Sequence, residues 1–211
     1  MPLVRRDPEA REKAPGATAP DETGALLRSP DPAQRRHAAR ALTTCPGAVP
    51  ALVQALGVEG DAAVREAILA ALSDIGDEAA ALALISALRS EDAGLRNGAL
   101  EALRSMPEAA AAHLPALLAD GDSDVRILAA EIARGLSPAV ATALLCAMLD
   151  SETHPNACGA ALDVLTEVGT TDALPTLRRI AERFAGDPFV PFAVQVAMAR
   201  IEGHRDGDGL L

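Results

Sequence analysis

The 211-residue chain contains no Trp and no Tyr, and Phe occurs only three times. A globular core normally fills its centre with large rings. Their scarcity favours a layer two helices thick, which Ala, Leu, Val and Ile can pack alone. Lys occurs once, at Lys13, against eighteen Arg, and the formal net charge is −11. Such a chain opposes phosphate with the wrong field, so nucleic acid is not the expected ligand. The three cysteines, Cys45, Cys146 and Cys158, show no CxxC spacing and fall in apolar stretches. They read as small buried hydrophobes rather than metal ligands or nucleophiles. Uncharged runs such as 79–88 fall short of the ~20 residues of a membrane span. The N-terminus lacks the apolar core of a signal peptide, and Asp7, Glu9 and Glu12 disfavour a transit peptide. The expectation is a soluble cytoplasmic protein without a membrane segment.

What the chain has instead is a period. Aligned on Asp31, Asp61, Asp92, Asp122, His154 and Asp187, it repeats at intervals of 30, 31, 30, 32 and 33 residues. Counting from each anchor, positions +3, +7, +10, +11 and +14 are apolar in twenty-nine of thirty cells, and Gln34 is the exception. That spacing is one stripe of an α-helix. An anchor Asp suits the N-cap, and Pro32, Pro155 and Pro188 follow at the first helical position, where a missing N–H costs nothing. A breaker ends each first helix: Pro46-Gly47, Gly76, Pro107, Ser137-Pro138 and Gly169. A second apolar helix then runs to the next anchor, over roughly 48–57, 77–89, 108–119, 138–149 and 171–185. Pro50, Pro115 and Pro175 place the proper start of three of these near the proline. The fold expected is all-α, a right-handed α-α superhelix of about five to six two-helix repeats over residues 21–202. Residues 1–20, with four prolines, read as a flexible leader, and 203–211 as a flexible tail.

The segments Asp61-x-x-Val64-Arg65 and Ala71-Leu72-x-x-Ile75-Gly76-Asp77 resemble the HEAT-like repeat of phycobilin lyases and many bacterial scaffold proteins. Asp92-x-x-Leu95-Arg96 and Asp122-x-x-Val125-Arg126 repeat the motif, and Asp31-x-x-Gln34-Arg35 is a weaker copy. The resemblance implies a ladder between repeats, from Asp31, Asp61, Asp92 and Asp122 to Arg35, Arg65, Arg96 and Arg126. It should stop there, because Cys158 and Pro191 replace Arg in the last two repeats. It implies one enzymatic role, a phycobilin lyase-like subunit attaching a bilin to a protein cysteine. Two other HEAT-like classes fit poorly. The deoxyhypusine hydroxylases hold iron with His-Glu pairs, and His37, His113, His154 and His204 are never followed by Glu. The alkylpurine DNA glycosylases imply a basic groove with aromatics.

No phosphate loop, nucleophile arrangement or metal spacing stands out. Asp120, Asp122, Asp124 and Glu131 match part of a calcium loop, but Val125 occupies the position that needs Gly. No catalytic residue, cofactor or metal is therefore expected. One local feature remains: Arg178, Arg179 and Arg183 lie within two turns, followed by Phe184, Phe189 and Phe192. The rings either plug the open end of the array beside solvated arginines or form a partner-binding hot spot, since interfaces favour aromatics and Arg. Gln54, Ser86, Arg89, His113 and Arg178 are further candidates on the second helices, which usually line the concave face. The function expected is a non-catalytic adaptor for a protein partner whose identity, like the oligomeric state, the sequence leaves open.

Overall fold

Asp31, Asp61, Asp92 and Asp122 have extended backbones and accept N–H bonds from the first turn of the helix that follows. Asp187 accepts from Phe189 and Val190 at 2.8 and 2.9 Å. Five anchors thus act as N-caps, and His154 starts its helix without such a bond. The computed structural model describes residues 20–207, with side chains over 23–203. The leader expected over 1–20 lies almost wholly outside these residues, as do 208–211.

The helices alternate in two layers. First helices are α2 (Pro32–Leu42), α4 (Ala62–Ile75), α6 (Ala93–Arg104), α9 (Ser123–Ala133), α11 (Pro155–Val168) and α13 (Val190–Gly207). Second helices are α1 (Pro20–Leu26), α3 (Val49–Leu56), α5 (Glu78–Ala87), the pair α7 (Pro107–Ala111) and α8 (Leu114–Leu118), α10 (Pro138–Ser151) and α12 (Leu174–Arg183). Each first helix packs on the next, α2 to α4 to α6 to α9 to α11 to α13, and α3, α5, α7, α8, α10 and α12 form the second row. No strand occurs among the described residues. The fold is the all-α solenoid that the period implies. The last helix continues to Gly207, into the segment read as a tail.

Of the thirty cells of the repeated stripe, only Gln34 and Ala41 are exposed, and both lie on α2. The single polar exception in the sequence therefore lies on the first of the described first helices. Elsewhere the stripe is buried or, at Cys45, Ile75, Leu95, Val168 and Met198, partly buried, and Ala38, Ile68, Ala99, Ala129 and Ala161 are at 0 % exposure. These small residues let the helices approach closely, which is how a core almost without rings is filled.

Candidate partner-binding surface

The repeat junctions are built by a column that the alignment did not single out. Two residues before each anchor stand Ser29, Glu59, Ser90, Asp120 and Glu152, and each accepts the backbone N–H of its anchor at 2.8–3.2 Å. This column also takes the ladder arginines. Arg35 grips Glu59 with two bonds of 2.8 and 2.9 Å, and Arg126 grips Glu152 with two of 2.6 and 2.9 Å. Arg65 alone meets the expected partner, Asp92 of the next repeat. Asp31, Asp61 and Asp122 cap their own helices instead. Arg35, Arg96 and Arg126 each donate to the carbonyl six residues back, on Ser29, Ser90 and Asp120, at 2.7–2.8 Å.

Electrostatics follow the pairing. The Arg35 guanidinium holds the Glu59 carboxyl below the usual glutamate range. Burial pushes Glu152 up, but the bonds from Arg126 and the His154 and Thr153 amides outweigh it, and the net shift is down. Asp120, paired with Arg89 across one repeat, is lowered to about 2. Burial raises the Cys158 thiol to about 11 and also raises Cys146, so neither offers a ready thiolate. Among the described residues no group of His, Cys, Asp and Glu is arranged to hold a metal.

The C-terminal cluster divides. Arg183 donates to the carbonyls of Leu149, Asp150 and Glu152, tying off the end of α10. It thereby serves the repeat in which Cys158 replaces the ladder arginine. Arg179 pairs with Asp150 at 2.6 Å. Phe184 packs partly into the core, and Phe189 lies over Gly159, where an added Cβ would stand 3.4 Å from the ring. Arg178 is exposed and has no hydrogen bond or ion pair among the described residues. Phe192 stays 62 % exposed.

A broader surface lies on the second-helix row. Residues 49–58, 79–88 and 137–149 carry no charged side chain, and 109–119 carry only His113 among titratable groups. Val53, Leu82 and Val140 on this row are 39, 46 and 46 % exposed. Charge is displaced to the first helices, where Glu66, Glu101, Asp163 and Glu167 face solvent. Of the other candidates there, Gln54 accepts from Arg28 at 2.8 Å, Ser86 donates to Leu82, and His113 lies 3.8 Å from Glu78. A groove of about 520 Å³ also opens between α4 and α6, over Leu69, Ala70, Gly94 and Gly98.

Comparison with known proteins bears on this architecture. The family model of HEAT repeats matches residues 21–104. The bilin biosynthesis protein PecE of Mastigocladus laminosus is 43 % identical over 74 residues, 34 % of this chain and 28 % of the relative. PecE of Nostoc sp. (strain PCC 7120) is 42 % identical over 74 residues, 34 % of this chain and 29 % of that protein. The matched segment thus spans less than a third of these curated relatives. The complex of CpcE and CpcF of phycocyanin lyase from Nostoc sp. PCC7120 aligns with a TM-score of 0.38 and 20 % identity, over 95 % of this chain and 100 % of that one. Residues 21–104 thus match HEAT repeats, and 74 residues of the chain are similar to part of PecE.

Proposed function

We propose that the chain is a non-catalytic cytoplasmic adaptor that holds a protein partner against its second-helix row, with Arg178 at the C-terminal edge of the contact. The observation that carries this reading is the absence of charge from the middle of four successive second helices, whose carboxylates Glu78, Glu108 and Asp150 are confined to helix ends, in a protein with net charge −11. A row kept only for solubility would carry Glu, Lys or Arg at its outward positions. Exposed apolar side chains on a face that carries so little charge favour an interaction site. The test is recovery of partners from native extracts with the wild-type chain and with a Leu82→Glu, Val140→Glu double variant. Both positions are nearly half exposed, so the variant keeps its helical spectrum and thermal midpoint. Loss of the recovered partner from the variant is the expected result, and equal recovery would sink the reading.

A second reading has its own support. The 43 % identity to PecE over 74 residues favours a subunit that helps attach a bilin to a protein cysteine. Mixing the chain with a free bilin separates the two. The adaptor leaves the absorption spectrum of the bilin unchanged, whereas a lyase-like subunit shifts it.

A further inference from the structure

The described solenoid begins on a second helix, α1, and ends on a first helix, α13. Its two end faces therefore carry complementary halves of one repeat. At the α4–α6 junction, the +8 residue of one first helix meets the +6 residue of the next, beside its +3 residue. Leu69 of α4 sits so close to Gly98 of α6 that a Cβ there would come within 2.5 Å, and Leu95 lies in the same groove. On α13 the +8 position is Gln195, exposed; on α2 the +6 and +3 positions are His37 and Gln34, also exposed. Each end thus departs from the apolar rule at the register positions that a neighbouring repeat would meet, and each departs with a hydrogen-bonding side chain. Around them the faces are apolar: Phe192 and Val196 on α13 are 62 and 43 % exposed, Leu26 on α1 is 39 % exposed, and Ala41 on α2 is exposed. Phe192 falls in a column that elsewhere holds Arg36, Glu66, Asn97, Ile127 and Gly159, and Val196 in one that holds Arg40, Ala70, Glu101, Glu131 and Asp163.

We infer that the occupant of each end face is a second copy of this chain, stacked head to tail. The α13 of one copy and the α1 of the next complete a single repeat, and Gln195 meets Gln34 and His37. Such a contact is heterologous, so it propagates rather than closing on two subunits. An end face two helices wide buries on the order of 1,000 Å² in total, at the low end for a specific interface. Association is therefore weak and read at high protein concentration.

The test uses the full chain and two single-face variants, Ala41→Arg and Val196→Arg, each altering an exposed position and each checked by circular dichroism. Sedimentation velocity at several hundred micromolar reads the outcome. The wild-type chain is expected to form concentration-dependent species larger than a dimer. Each variant alone is expected to be monomeric, and an equimolar mixture to form a heterodimer through the one intact pair of faces. A monomeric wild type overturns the inference, as does a mixture that stays monomeric. Self-association of Ala41→Arg alone would mean tail-to-tail pairing of α13, and of Val196→Arg alone head-to-head pairing. Either overturns it.

Discussion

Glu152 has the most enclosed carboxylate of the junctions, its side chain 3 % exposed against 15 % for its partner Arg126. It answers two arginine nitrogens and two backbone amides at once. Glu152→Ala leaves a mostly buried guanidinium without its counterion, a loss on the order of 3 kcal/mol at neutral pH. The native carboxyl titrates below its ordinary value near 4.5. Its contribution is therefore complete above that value and is lost as pH falls through the lower, folded value. Urea titrations from pH 7 to 3 should show the gap between wild type and variant narrowing only below about pH 4.5. A gap constant across that range would contradict the assignment. The anchors are legible in the sequence because capping is local: an Asp before an apolar stripe has its first-turn amides at hand. The choice between Asp61 and Glu59, or His154 and Glu152, as partner for the preceding arginine is not. It depends on the stacking distance between repeats, which spacing along one chain does not contain. A polar column of Ser29, Glu59, Ser90, Asp120 and Glu152 is nevertheless open to the same alignment.

Helix boundaries follow the prolines and glycines closely, and one second helix is broken in two. The second helix read over 108–119, with its proper start expected near Pro115, starts there as α8, and the short α7 stands apart before it, because Pro115 offers no N–H to the carbonyl a turn earlier. The chain there bends through a turn closed by His113 N–H on Ala110 at 2.9 Å. Pro50 and Pro175 cause no such break, since both stand in the first turn of their helices. Two glycines end first helices for different reasons. Gly76 closes α4 in the left-handed region, at φ 62°, where a side chain costs about 1 kcal/mol. Gly169 has ordinary dihedrals, but a Cβ on it would lie 2.3 Å from the Leu165 carbonyl oxygen. Backbone cannot give way as a side chain does, so Gly169→Ala should cost on the order of 2 kcal/mol. Gly60→Ala meets open space and serves as the control. Chemical denaturation should rank the losses Gly169, Gly76, Gly60, and a Gly169 variant as stable as the Gly60 control would refute the steric account.

A stack in which each repeat touches its neighbours has no single centre, and its stability is a sum of repeat and junction terms. The same substitution should therefore act differently along the array. Leu42 and Leu103 occupy the same +11 column and are 1 and 0 % exposed. An aspartate at either buries an unpaired charge, a cost of several kcal/mol. At Leu42 the damage falls on a repeat with one full neighbour, since α2 stacks only on α4 in the first-helix row. The array can shed α1 to α3 and keep α6 to α13 folded. At Leu103 the damage removes a junction on both sides, α4 to α6 and α6 to α9, and leaves two short stacks, each with a newly exposed apolar end. Hydrogen exchange of Leu42→Asp should show lost protection confined to about the first sixty residues, with α11 and α13 exchanging as in the wild type. Leu103→Asp should lose protection throughout. The period makes the stack legible, but not this gradient, which depends on how many junctions each repeat shares. Uniform exchange in both variants would mean a core that folds as one unit, and the nearest-neighbour picture of this solenoid would have to be abandoned.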